Sequence, residues 1–352
     1  PDTVGPCRSA RTPFVKIAKS LDLVYLHVGG STTGKAKINA LGVADIASGD
    51  VTWVEDGPGQ AIHPDWSPSG ALVYSYGNDT NTALSAERAK SQDGFSLRAF
   101  KNGKRVDLTH GRFRDYAPTV APGGREVYFT TTRWTAKYAG GSRMSSQIAR
   151  ISFGAGREPE LVIESPSGND SGAVQAAVSP DGTKIVWGSL EAFWRSWRIC
   201  GARLSDPASR CFVTPSRMIA LAPRWHPGGA LICFTGYQVG DPGWCVYAGD
   251  VRRGAFARIA SGENPCFSPD GRNICFDRNG HVVIAPFDFR SLDFVTADEA
   301  EKPVAEGRMV WRCGPEGAGK RMPLPADGLS FGADRTLYLT VRGVWSGTGH
   351  EL

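Results

Sequence analysis

The chain has 352 residues, with 40 Lys and Arg against 35 Asp and Glu, a formal net charge of +5 spread without a polybasic block. That balance argues against duplex nucleic acid as a partner. Hydrophobic residues make up 41% and charged residues 21%, which excludes a disordered chain, and apolar runs such as Leu23–Leu26 are far too short for membrane insertion.

Gly (43) and Pro (23) together supply about 19% of the residues, more turn chemistry than an average domain carries. Many short strands joined by many turns are expected. In chain order, residues 1–12 precede the first repeat-like segment; they open at Pro1 with neither Met nor an apolar leader, the start expected of a processed or truncated chain. A degenerate strand–turn–strand copy follows at Val15–Leu26. Gly29–Lys35 (Gly-Gly-Ser-Thr-Thr-Gly-Lys) matches most of a phosphate-loop pattern, but Ala36 stands where Ser or Thr should hold Mg²⁺. The next segment, Ile38–Ile46, reads as a strand and not as the helix a phosphate loop needs. The segment is expected to be a hairpin loop.

Five clear copies of one pattern come next. They are Pro64–Tyr74, Pro118–Tyr128, Gln175–Trp187, Pro223–Cys233 and Pro265–Cys275, and their turn glycines are Gly70, Gly124, Gly182, Gly229 and Gly271. Pro presets φ and Gly supplies φ > 0, so each copy reads as strand, tight turn, strand. Further strands are expected after each, for example Phe95–Phe100 with Arg105–Thr109, and Ile148–Phe153 with Leu161–Glu164. A second degenerate copy, Leu329–Thr340, ends the series. Four antiparallel strands recurring every 42 to 58 residues predict an all-β fold, a β-propeller. Counting both degenerate copies gives seven blades; six is the alternative. Residues 13–352 are read as this single domain. The segment 1–12 is expected to complete the last blade, since an unpaired edge would expose backbone donors and acceptors.

Pro-x-aromatic followed by Ser-Pro-Asp-Gly, as in Pro265-Cys-Phe-Ser-Pro-Asp-Gly271, resembles the WD40-like repeat of the TolB-type propellers. Leu108–Pro118 is similar to their blade junction. The resemblance spans about residues 14–340 and implies fold more than activity. Propellers of this kind include periplasmic partner-binding proteins, gating domains of peptidases and oligogalacturonate-lyase-like polysaccharide lyases. No Gly-x-Ser-x-Gly elbow is present, so an attached hydrolase half is not expected.

If each inner strand runs downward, the Ser-Pro-Asp-Gly turns lie underneath, and the junctions and second-strand loops lie on top. The upper rim then carries His63, Arg112, Arg114, Arg133, Trp134, Tyr138, Trp194, Arg195, Trp197, Tyr237 and Trp244 as expected ligand-binding residues. Arginines pair carboxylates and aromatic faces accept sugars or peptides, so an anionic saccharide or a protein partner is the expected ligand. The alternative is a lyase acting on uronate-containing glycans by β-elimination. By resemblance of role, His110, Tyr116 and Arg114 would then be catalytic. No cofactor is assigned; a divalent metal held by some of His27, His63, His110 and His281 is the one alternative. His226 replaces the Ser of the turn motif and is expected to be structural.

Eight cysteines are present and none forms a CxxC. Cys266–Cys275, Cys233–Cys245 and Cys200–Cys211 flank turns or short loops and are expected to form disulfides, with Cys7–Cys313 as a terminal clamp. Disulfides would place the protein outside the cytoplasm, secreted or periplasmic. It is expected to be a monomer.

Overall fold

The computed structural model describes residues 25–27, 35–37, 39–45, 51–55, 60–77, 95–110, 113–134, 136–138, 141–143, 146–153, 157–165, 172–191, 196–278, 281–288, 308–311, 326–331 and 336–342. The strands begin with a two-stranded ribbon, β1 (Tyr25–His27) and β2 (Lys35–Lys37). Next come β3 (Asn39–Asp45) and β4 (Val51–Glu55), then β5 (Gln60–Trp66), β6 (Leu72–Gly77), β7 (Ser96–Lys101) and β8 (Lys104–Asp107). The second sheet holds β9 (Asp115–Val120), β10 (Glu126–Thr131), β13 (Gln147–Ser152) and β14 (Glu160–Ile163). A ribbon of β11 (Ala136–Tyr138) and β12 (Gly141–Arg143) stands between β10 and β13.

The third sheet is β15 (Gly172–Val178), β16 (Lys184–Glu191), β17 (Ser196–Arg203) and β18 (Asp206–Phe212). The fourth is β19 (Ile219–Trp225), β20 (Leu231–Tyr237), β21 (Cys245–Asp250) and β22 (Ala255–Ser261). The fifth is β23 (Glu263–Phe267), β24 (Asn273–Arg278), β25 (His281–Pro286) and β26 (Arg308–Trp311). Last come β27 (Ala326–Phe331) and β28 (Thr336–Arg342).

The fold is an all-β propeller. Besides the two ribbons, the described residues form four four-stranded sheets and one eight-stranded sheet. The eight-stranded sheet joins two sets of four, β27–β28–β3–β4 and β5–β6–β7–β8, through a single parallel bridge between Asn39 and Gln60. Among the described residues these make five sheets, so neither the alternative of six blades nor the expected seven is found as separate sheets. That expectation gave the N-terminal copy a blade of its own, whereas β1 and β2 pair only with each other and β3 pairs with β28 across seven residues, Asn39–Asp45 against Thr336–Arg342. Residues 1–12 lie outside the described residues.

Burial follows strand position. Second strands are buried on both faces, as in Leu231–Gly236 of β20, while the outer strand β8 is exposed throughout. The reason is that the core is divided among the spaces between neighbouring sheets. Val73 and Leu97 pack with Val127 and Phe129 of the next sheet, Tyr128 packs with Ile185 and Trp187, and Val186 packs with Ile232 and Phe234. Val127 and Phe129 face one neighbour and Tyr128 the other, as period-two alternation requires. Leu41 and Val54 pack with Leu72 and Tyr74, so β3 and β4 share a core with β6.

The turns follow the sequence chemistry. Ser179 and Asp181 hydrogen-bond to each other, Thr183 N donates to Asp181 (3.0 Å) and Lys184 N to Ser179 Oγ (2.9 Å). The Ser179 hydroxyl and the Thr183 donors hold the Asp181 carboxyl down at about 2. Ser268, Asp270, Arg272 and Asn273 repeat the arrangement.

None of the six described cysteines is in a disulfide, which corrects the expected bridges. In the β20–β21 hairpin Cys245 pairs with Gly236 and Cys233 with Ala248, and the two thiols belong to different inter-sheet cores. Cys211 is exposed and opposite Gly201, one position from the buried Cys200. Cys266 and Cys275 do stand directly opposite each other, as the turn spacing predicts, with buried thiols. Cys7 and Cys313 lie outside the described residues. These cysteines therefore give no argument about cellular compartment.

Candidate functional site

Each inner strand starts opposite the end of its second strand: Gln60 pairs with Gly77, Asp115 with Thr131, Gly172 with Leu190, Ile219 with Tyr237 and Glu263 with Asp277. Junctions and second-strand loops therefore share one end of the sheets, and the proline–glycine turns share the other.

Every one of these five inner strands carries a bulge with a left-handed residue: His63, Ala117, Gln175, Ala222 and Asn264, with φ between 50° and 53°. Non-glycine residues adopt this conformation at a cost and hold it only where the surroundings enforce it. At three of the five, hydroxyls of the preceding sheet enforce it. Ala117 N donates to Ser75 Oγ (3.0 Å), Gln175 N to Thr130 Oγ1 (2.9 Å) and Asn264 N to Thr235 Oγ1 (2.8 Å). The equivalent position before Ala222 is Gly188, where a Cβ would lie 3.1 Å from Leu221. Ala222 N donates instead to Gln175 Oε1 (3.1 Å).

Two residues beyond each bulge stand Asp65, Thr119, Ala177, Arg224 and Cys266, which line a central cavity of about 310 Å³. Arg224 crosses it, donating through Nη1 to Thr119 Oγ1 (2.8 Å), while Thr119 Oγ1 donates to Ala176 O (2.7 Å). Trp66, Trp225, Phe267 and the prolines of the turns form the remaining wall. His63 stands one layer away. Its Nδ1 is buried with no hydrogen-bond partner, and burial, reinforced by Arg224, lowers its pKa to about 4. Its ring lies 6.3 Å from that of Tyr116.

The expected rim residues separate into several groups. Arg133 is committed to the buried Asp115, donating from Nη2 (2.6 Å) and Nε (3.2 Å), and stacks over Phe113. Trp134 packs against the Val127–Phe129 core. Trp197 is half-buried beside Gly172. Arg114 lies over the ring of Phe95 and within electrostatic reach of Tyr116, whose phenol is pushed up by burial and bonded to Ser146. A phenol so raised is a poor base, and His110 is exposed in the junction. Tyr237 and Trp244 form an edge-to-face pair (6.1 Å), 37% and 41% exposed, beside Val239 at 94%. Arg112, Trp194 and Arg195 lie outside the described residues, as do the side chains of Tyr138, His27 and His281. Among the described residues no three His, Cys, Asp or Glu are grouped to hold a metal.

The hairpin loop bearing Tyr237, Val239 and Trp244 is braced from beneath by Asp241. Its carboxylate accepts from Gln238 N (2.8 Å), the Tyr247 hydroxyl (2.7 Å) and Arg258 Nη1 (3.1 Å). Burial and this bond push the Tyr247 phenol up. The expected structural role of His226 holds: Gly228 N donates to its Nδ1 (3.0 Å), leaving Nε2–H to donate to Gly271 O (3.1 Å). Sequence reasoning missed Asp241 and the cavity residues. For four of the five sheets the signal was the middle position of the repeat: Asp65, Thr119, Arg224 and Cys266 each follow its proline.

Comparison with known proteins agrees with this fold. The TolB-assigned protein of Agrobacterium tumefaciens superposes with a TM-score of 0.60 at 14% identity, covering 87% of this chain and 99% of its own. TolB from Acinetobacter baumannii gives 0.51 at 16% identity over 80% of this chain and 66% of its own. The hydrazine synthase structure from Kuenenia stuttgartiensis gives 0.53 at 14% identity over 88% and 94%. The fold is that of the TolB-like β-propellers. A family model described as "Protein of unknown function (DUF3048) N-terminal domain" matches residues 1–62. No curated protein matches the chain.

Proposed function

We propose that this propeller is a binding protein, not a catalyst, and that it takes an anionic saccharide or a protein partner on the face formed by its junctions and second-strand loops. The observation that carries this reading is the braced display of Tyr237, Val239 and Trp244: large apolar groups are exposed together on a loop fixed by three bonds to one carboxylate. Rigid aromatic anchors bind at low entropic cost. Arg114 supplies an anion-pairing group on the same end, whereas Arg133 is spent on Asp115.

The reading includes a monomeric ring of six blades, the sixth being β27–β28–β3–β4, and an extracytoplasmic location to be checked by cell fractionation. Screening uronate-containing saccharides and acidic peptides tests the binding face. Trp244→Ala should weaken any ligand found by about 30-fold or more, the range of a buried aromatic anchor, and Asp181→Ala in a turn at the opposite end should leave it unchanged. Equal effects of the two would sink the assignment of the face. Absorbance near 235 nm rising with a uronate substrate would instead establish β-elimination.

A further inference from the structure

We propose that the central cavity is a second, separate ligand site, which binds a carboxylate carried on a small apolar body, with the carboxylate on Arg224 and Thr119. Two observations meet there. Arg224 brings a guanidinium with five N–H donors into a partly buried space, yet among the described residues its bond is to the Thr119 hydroxyl, with no ion pair to a carboxylate. Asp65 brings a carboxylate to the same cavity, where it accepts from Val120 N (2.6 Å); the guanidinium N–H groups that Thr119 does not use are left to pair a ligand anion. Behind the lining, His63 lies within electrostatic reach of Arg224, and its Nδ1 is a buried polar atom lacking a partner.

The wall fits the rest of such a ligand. Trp66, Trp225, Phe267 and the turn prolines surround a volume of about 310 Å³, at the small end of the range that ligand pockets occupy. Such sites are mostly apolar with a few convergent polar groups. Because those prolines belong to the strand-connecting turns, the ligand enters from the end opposite Tyr237 and Trp244. The same chemistry is available in a free aryl or alkyl carboxylate and in the C-terminal carboxylate of a peptide that ends in an apolar residue.

Benzoate, benzamide, and a tetrapeptide ending in phenylalanine as its acid and its amide are the probes, titrated into the full chain by calorimetry. Either acid should bind at least tenfold more tightly than its neutral amide. Benzoate alone binding identifies a free carboxylate, and the peptide acid binding more tightly than benzoate identifies a chain end. Arg224→Gln should remove the preference for acid over amide. Arg224→Lys, which keeps the charge but not the planar fork, should retain part of it. Trp244→Ala, at the other face, should leave benzoate binding unchanged, which separates this site from the loop site. Equal binding of acids and amides by the wild-type protein, or binding of none, overturns the proposal whether or not the Arg224 variants fold.

Discussion

At the scale of single residues, His63 has the clearest measurable consequence. Its pKa of about 4 in the folded protein lies below the ordinary 6.5, so between these values the unfolded chain binds the proton and the folded chain does not. Stability is therefore fully present above pH 6.5 and falls as pH drops towards 4, by up to about 3 kcal/mol from this group. His63→Asn tolerates the left-handed backbone and does not titrate. Denaturant melts at pH 4 to 7 should show a shallower acid loss in the variant; identical slopes would exclude His63 as the source. Cysteine reactivity is a second reading at this scale. Cys211 is exposed, whereas burial pushes the Cys233 and Cys275 thiols well up. Maleimide labelling followed by peptide mapping should modify Cys211 in the native protein, and Cys233 and Cys275 only after unfolding.

At the scale of elements, a hydroxyl-to-bulge bond connects three of the described sheets to the next. Thr235→Val keeps shape and removes the acceptor of Asn264 N, leaving a backbone donor without its partner. A loss of about 1–3 kcal/mol in chemical denaturation is expected. Gly188→Thr places a hydroxyl at the missing member of the series only if the Leu221 and Val174 side chains, 3.1 and 3.2 Å from the new Cβ, give way. What was legible in the sequence follows the same physics. The strand–turn–strand copies could be read because Pro and Gly fix φ at fixed offsets, and this placed Cys266 opposite Cys275. The Cys233–Cys245 pairing failed because the Asp241-braced loop sets the register at Gly236 opposite Cys245. Arg133 was legible as a rim residue, but its partner Asp115 lies 18 positions away and only the fold joins them. Arg224 and Thr119, 105 positions apart, left no local pattern beyond a shared place in the repeat.

At the scale of the whole molecule, the blade count was hard to read because the last sheet takes strands from both ends of the sequence. Leu41 on β3 is fully buried against Leu72 and Tyr74, so it secures the joined sheet to its neighbour. Leu41→Ala should cost about 2–5 kcal/mol, visible as a lowered calorimetric midpoint; a midpoint within a degree of wild type would mean that β3 is not part of the cooperative unit. The β28–β3 pairing also has a consequence during synthesis. Asp45 meets Thr336, so β3 waits for a partner about 290 residues downstream. At ribosomal speeds of about 5–20 residues per second that interval is roughly 15–60 s. Throughout it, that edge of the nascent β3 lacks its partner, so this pairing forms only once β28 has left the ribosome.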